Sequence, residues 1–297
     1  MATMTNPMGR VNTSRYLVNN SSIFVPSKFK YKTMKLFHGV YWIRIFKILI
    51  FFLILANCES KQTHRAGTEP ISHKLWNQVL INSVNVSGRV NYEGLKENPK
   101  ILLDYLELLR TSRPNDERWD EKERLAYWIN LYNAFTLKLI IDHYPLKSIK
   151  DIGSTIQIPF INSPWDIETI DFGNEKISLN YVEHQILRKS FEEPRIHFAI
   201  NCASISCPNL RNEAYVAAKI DAQLADQAQR FLKDSTKNII TSEALYLSRI
   251  FQWFSGDFDV PQTLHENLSI WSGVSINNSA TIQFIDYDWS LNEQSRP

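Results

Sequence analysis

The segment His197-Phe-Ala-Ile-Asn-Cys202-Ala-Ser-Ile-Ser-Cys207-Pro208 gathers one histidine, two serines and two of the chain's 3 cysteines into a single short run. A thiolate is the nucleophilic form of cysteine, and a neighbouring imidazole or helix N-terminus lowers its pKa. Cys202 and Cys207 are therefore candidate nucleophiles, with His197 or His184 as the base. The spacing also suits a structural role. A Cys202–Cys207 disulfide would close a short loop and contribute roughly 2 kcal/mol through the unfolded chain, and close cysteine pairs in oxidising compartments are commonly bonded. A redox-active pair would more usually be C-x-x-C. His197, Cys202 and Cys207 offer at most three metal ligands. No C-x-x-C or H-E-x-x-H accompanies them, because His265-Glu266 lacks a second histidine, and no metal is assigned.

Other segments carry polar groups that could face the same site. Glu183 and His184 precede Arg188 on a predicted helix, where His184 and Arg188 share a face. They read either as an acid/base pair or orienting shell for the cysteine loop, or as a capping glutamate and a core-edge histidine. Asn130 and Asn133 fall one turn apart on a strongly apolar helix. An unpartnered buried amide costs about 1–3 kcal/mol, so both must bond something specific, whether a ligand, a catalytic histidine or interior backbone. Asn201, next to Cys202, joins Asn130, Asn133 and Arg188 as a candidate binding residue.

The elements that must hold these groups follow from periodicity. Helices are predicted from His73 to Val86, from Asn98-Pro99 through Leu109, and from Glu121 to His143. The last is apolar almost all round and so should be central; Tyr127, Trp128 and Tyr132 belong to that core. Residues 147–176 read as loops and short strands. A further helix spans Ile177 to Phe191, with Asn180 and Glu183 as its capping arrangement. Arg195 to Asn201 reads as a short strand carrying His197, and Asn212 to Asp234 as a long amphipathic helix. Asn238 to Leu247 reads as a bent strand or strand pair, followed by short helices after Ser248 and Pro261 and a late strand from Thr281 to Ile285. The pattern predicts a single helix-rich α+β domain with a small, mainly antiparallel sheet.

Composition restricts the function classes. No G-x-G-x-x-G or G-x-x-x-x-G-K-[ST] is present, so no nucleotide cradle is expected and no cofactor is assigned. Residues 1–57 hold eight of the 33 Lys/Arg and no acid, leaving 25 basic against 31 acidic residues, a net of −6, over residues 58–297. That acidic body argues against nucleic acid. The leader has a basic flank (Lys35, Arg44, Lys47) and an apolar core, Ile48 to Ala56, too short to span a bilayer. Leu55-Ala56-Asn57-Cys58 resembles the bacterial lipoprotein signal, with Asn57 where a small residue is usual. The resemblance implies cleavage before Cys58, a lipid on it, and attachment to the cell envelope facing the periplasm or exterior; the alternative is an uncleaved anchor that keeps Arg44 and Lys47 near the interface. Residues 1–57 are then a leader with Met34 as its expected start, 58–72 a tether, 73–292 the domain and 293–297 a tail.

Several motifs resemble the domain of unknown function 547 family. They are Ala126-Tyr-Trp-Ile-Asn-Leu-Tyr-Asn-Ala134 with Tyr144-Pro145, then Leu179-Asn-Tyr-Val-Glu-His-Gln-Ile-Leu-Arg188, then Pro194 to Pro208, and finally Ile250-Phe-Gln-Trp-Phe254. The resemblance extends over 73–292 and implies a recognised domain without an assigned activity. Ile205 stands where the family usually has a basic residue, removing a charge that would favour a thiolate at Cys207. A shape similar to papain-like or transglutaminase-like proteins is one expectation. Such enzymes place the nucleophile at the start of the central helix, where this chain has Asn130 and Asn133.

Two functions follow. One is thiol-dependent hydrolase or transferase chemistry at a Cys/His site. The other is a non-catalytic envelope module that binds a small molecule, peptide or glycan, with Cys202–Cys207 as a staple. Mass spectrometry of the mature protein should find an acylated N-terminal Cys58; a peptide from residues 1–33 would rule out the processed lipoprotein.

Overall fold

The computed structural model describes residues 69–153 and 162–295. Cys58, the leader and most of the expected tether lie outside them. Within them the chain is an α+β domain built around one long helix.

Helices α1 (Lys74–Ser83), α2 (Tyr92–Glu97) and α3 (Lys100–Thr111) lead to α4 (Glu121–His143). Asp120 opens α4 with a reciprocal capping box to Glu123. Every side chain from Leu125 to Leu137 is buried, so α4 is the central element its pattern predicts. Helix α2 was not legible as one. It follows a turn at Gly88, whose left-handed φ of 74° and close approach to Asn209 exclude a side chain, and Asn91 caps it through the Gly94 N–H.

A short hairpin, β1 (Ile170–Asp171) with β2 (Lys176–Ile177), precedes an irregular helix. Its first turn α5 (Leu179–Tyr181) passes into a π-helical stretch, Val182–Leu187, and ends as α6 (Arg188–Ser190). Ser178, not Asn180, caps it, accepting from the Tyr181 N–H. The side chain of Glu183 is thereby released from the capping role expected of it.

The strand expected at Arg195–Asn201 is instead a single helical turn, α7 (Ile196–Ala199). Glu193 Oε1 accepts from the Arg195 N–H, and i→i+3 backbone bonds follow from Glu193 to Phe198, with no partner strand alongside among the described residues. This turn joins two hydrophobic cores. Ile196 and Ala199 belong to the larger, around α1–α4; Phe198 belongs to the smaller, around Phe231, Phe251, Phe258 and Leu268.

Helix α8 (Ile220–Lys233) begins later than expected, after a 3-10 turn at Ala217–Lys219. Side chains capture the backbone before it: Asn77 and Asn130 accept the N–H groups of Ala214 and Tyr215, and Gln223 accepts that of Val216. Side-chain bonds of this kind compete with helix. Strands β3 (Ile239–Ile240) and β4 (Ala244–Leu247) form the expected antiparallel pair, and β5 (Thr281–Phe284) joins β4 in parallel. Helices α9 (Ile250–Trp253), α10 (Ser255–Phe258) and α11 (Leu264–Ser272) pack the smaller core.

The two asparagines of α4 pin the loops around the cysteines. Asn130, fully buried, takes both backbone groups of Tyr215, accepting its N–H at 3.0 Å and donating to its carbonyl at 2.7 Å. Asn133 accepts the Asn201 N–H at 2.8 Å and donates to the Ala199 carbonyl at 2.9 Å. Both bond backbone, the interior alternative of the sequence reading. Substituting Asn133→Ala strands one buried N–H and one buried carbonyl, and should cost about 2–4 kcal/mol in urea unfolding; a change under about 1 kcal/mol would show that the clamp contributes little.

Candidate functional site

A cleft of about 160 Å³ opens where the two cores meet. Its walls come from α4 (Tyr132), the π-helical stretch (Glu183, His184), the cysteine loop (Cys202, Cys207), α9 and the residue after it (Trp253, Phe254), and the segment after β5 (Tyr287, Trp289). All five candidate catalytic residues, Glu183, His184, His197, Cys202 and Cys207, line this one cleft.

The cysteine loop is held by a relay of amides. Asn201 Oδ1 accepts the Ala203 N–H at 2.9 Å, and its Nδ2 donates to the Pro208 carbonyl at 2.7 Å. Asn292 donates its backbone N–H to the Ala203 carbonyl, and its side chain bonds Asn201 and the Tyr92 hydroxyl. Between Cys202 and Ser204, Ala203 sits at φ 59°. A left-handed alanine is strained by roughly 1 kcal/mol and persists only where its surroundings enforce it. Asn201 is thus a loop-shaping residue, as are Asn130 and Asn133.

Both cysteines are free thiols, so the Cys202–Cys207 staple is not formed. The Cys207 sulfur instead accepts the Cys202 N–H at 2.9 Å, and its thiol lies toward the Ile200 carbonyl at 3.9 Å. Cys202 Sγ has hydroxyl partners, Ser204 Oγ and Tyr287 OH, each at 3.2 Å, and these hydroxyls bond each other at 3.1 Å. Burial pushes the Cys202 thiol up, but hydrogen bonds from Cys207, Ser204 and Tyr287 outweigh it and bring the thiol down to about 7. Burial, with the bond and charge of Cys202, pushes Cys207 well up. Of the two candidate nucleophiles, the geometry singles out Cys202.

The histidines do another task. His197 Nε2 donates to Asp257 Oδ2 at 2.7 Å, and its ring stacks on Phe254 with centroids 4.1 Å apart. Arg188 grips Asp257 in bidentate fashion through Nε and Nη2, and donates from Nη1 to His184 Nδ1 at 2.8 Å. His184 therefore carries its neutral-ring proton on Nε2. Burial and the Arg188 charge hold His184 down at about 4, and burial lowers His197 despite Asp257. Burial raises the Asp257 carboxyl, but its bonds to His197 and Arg188 win and hold it well below the usual range. The thiol is thus hydroxyl-bonded, not paired with an imidazole as expected. Among the described residues, no group of three or more His, Cys, Asp or Glu is placed to hold a metal.

Glu183 is buried on the cleft wall, accepting from the Tyr132 hydroxyl at 3.3 Å. The Arg188 N–H bonds its carbonyl five residues back, the π-type turn that sets its place; such turns occur often at functional sites. Burial first, then the Cys202 charge, raises its carboxyl to about 7, against the lowering effects of Tyr132 and Arg188.

Ser204, Tyr287 and Asp257 were missed as site residues, and Tyr132 was assigned to the core alone. Ser204 stood inside the cysteine motif and offered a local signal. Asp257 and Tyr287 lie 60 and 85 residues from their partners and offered none.

Residues 117–232 match the family described as protein of unknown function, DUF547. This stretch is similar to that family over under half of the chain. The match covers α4, the π-helical stretch and the cysteine loop, and is narrower than the 73–292 resemblance. Trp253, Asp257, Tyr287 and Trp289 fall beyond it. No curated protein and no solved structure matches the chain.

The raised Glu183 carboxyl carries a pH signature. A folded-state pKa above the ordinary 4.5 means that stability present below 4.5 is lost as pH rises through about 7. Urea midpoints at pH 5 and 8 should fall more in the wild type than in Glu183→Gln; parallel falls would show that Glu183 ionises normally.

Proposed function

We propose that the DUF547-like domain of this chain is a thiol-dependent acyl hydrolase or transferase with Cys202 as nucleophile. The observation that carries the reading is the hydroxyl chain that ends on Cys202 Sγ at the cleft, Ser204 donating to the Tyr287 oxygen and Tyr287 to the sulfur, with Cys207 held as a protonated neighbour. A donor on the sulfur, itself polarised by a second hydroxyl behind it, and the Ser204 backbone favour the anion. They support a reactive thiol where a buried structural cysteine would be inert.

The reaction then runs in two stages. The Cys202 thiolate adds to an acyl carbonyl, the new S–C bond forms, and the bond to the leaving oxygen or nitrogen breaks. Protonated Glu183 supplies the proton the leaving group takes, and its carboxylate then accepts a proton from the water or amine that cleaves the thioester. A carboxyl that titrates near 7 is suited to both directions. Asp257 and Arg188 fix His197 and His184 as the polar floor beside this pair. The membrane attachment through Cys58 belongs to the same proposal and rests on the sequence alone.

The competing reading, a non-catalytic module, is favoured by no comparable observation once the staple is absent. Iodoacetamide should label Cys202 with a rate that rises through a midpoint near pH 7. Labelling should vanish in Cys202→Ser, persist in Cys207→Ala, and shift to higher pH by about one unit in Tyr287→Phe, the loss of one hydrogen bond. A Cys202 that labels only above pH 9, or not at all in the folded protein, would overturn the nucleophile.

A further inference from the structure

The cleft's outer wall is aromatic and has a definite extent. Trp165, Trp289, Tyr287 and Trp253 form a continuous run of rings. Centroids are 5.7 Å apart for Trp165–Trp289, 4.5 Å for Tyr287–Trp289 and 4.9 Å for Trp253–Tyr287. Tyr287 lies within this run, and its hydroxyl bonds Cys202. Trp253 keeps 45 % of its surface exposed. A tryptophan so exposed, next to the tyrosine that bonds the nucleophile, offers a flat apolar face to whatever the nucleophile meets.

The charges of the cleft are mutually matched. Arg188, the guanidinium nearest the histidines, is engaged by both oxygens of Asp257 and by His184. Glu183 and Cys202 are the lining groups able to become negative, and either would repel an anion. Lys150 stands over the Trp289 ring, its ammonium 3.8 Å from the centroid, and is not part of the lining. Its charge interacts favourably with that of the Cys202 thiolate, so this ammonium is matched by the nucleophile itself.

We infer that the site accepts an uncharged acyl group with an apolar or aromatic body, seated on the Trp165–Trp289–Tyr287–Trp253 wall with its carbonyl at Cys202. The inference rests on the thiol reading above and adds the substrate class. A void of about 160 Å³ has room for one ring or a short acyl chain, with the remainder of the molecule left outside.

Four alkylating probes separate the claims: N-benzyl iodoacetamide, iodoacetamide, anionic iodoacetate and cationic 2-bromoethylamine. Each rate at Cys202 of the full chain is normalised to that of glutathione at the same pH. The benzyl reagent should exceed iodoacetamide by at least tenfold, and iodoacetate should fall at least tenfold below it. Trp253→Ala, at a half-exposed position, should reduce the benzyl preference at least threefold. Normalised rates equal across the four reagents, or a preference for the anion or the cation, would overturn the substrate class while leaving the nucleophile standing. Absence of labelling by every probe would overturn the nucleophile and this inference together.

Discussion

The rest of the structure depends on two amides projecting from one helix. Asparagine is suited to this because a single side chain both donates and accepts. Asn130 and Asn133 stand one turn apart on α4; Asn130 satisfies the N–H and carbonyl of Tyr215, and Asn133 the carbonyl of Ala199 at the end of α7 and the N–H of Asn201 just beyond it. A buried unpaired backbone group costs about 1–3 kcal/mol, so these loops cannot move off α4 without forfeiting four bonds. From Asn133 the constraint passes to Asn201, from Asn201 to Asn292, and from Asn292 to the Tyr92 hydroxyl. That relay holds Ala203 in its left-handed conformation, and the bend at Ala203 is what separates Cys202 from Ser204 while leaving their side chains in contact.

The same rigidity explains why two cysteines five positions apart behave differently. Cys207 points inward, its sulfur receiving the Cys202 N–H, and its surroundings include the charge that Cys202 would carry. Cys202 meets a chain of two hydroxyls, in which Ser204 donates to Tyr287 and Tyr287 donates to the sulfur. Hydroxyls can donate to an anion without bringing a counter-charge into an apolar cleft. An imidazolium would need burying, and burial already holds both histidines neutral in tendency. The His184–Arg188–Asp257–His197 chain therefore shapes and neutralises the floor, while the thiol is tuned from the opposite side.

Periodicity was a sound guide where tertiary structure agreed with it. Helix α4 occupies the residues its apolar spacing predicts, and the strand pair at β3 and β4 and the late strand β5 lie where the pattern places them. The demand that Asn130 and Asn133 be specifically bonded came from the same argument and is met by backbone. Where side chains compete with the backbone, periodicity misleads. Asn77, Asn130 and Gln223 hold the start of the expected Asn212 helix open, and the apolar run at Ile196–Ala199, without a strand to pair with, closes into one helical turn. The site was legible only in its local parts. Glu183, His184, His197 and both cysteines sit in motifs, whereas Asp257 and Tyr287 act through contacts that only the folded chain creates.

Those two residues also show why the site needs more than the matched segment. Strand β5 runs parallel to β4, and the Ile285 N–H continues the pairing to the Leu247 carbonyl. Beyond it the backbone turns onto the cysteine loop, where Ile205 and Ser206 donate to the carbonyls of Ser290 and Asp288. This second pairing fixes the register that brings Tyr287 to Cys202 and Trp289 to the cleft wall. A one-residue slip would turn Tyr287 away from the sulfur, because neighbouring side chains of an extended segment face opposite sides. The nucleophile's environment is therefore set jointly: α4 fixes the loop from within through Asn133, and the segment after β5 closes it from outside through Tyr287. Residues 117–232 hold the thiol and the carboxyl, but one of the two hydroxyls that tune the thiol, and most of the aromatic wall, arrive from the C-terminal strand and helices.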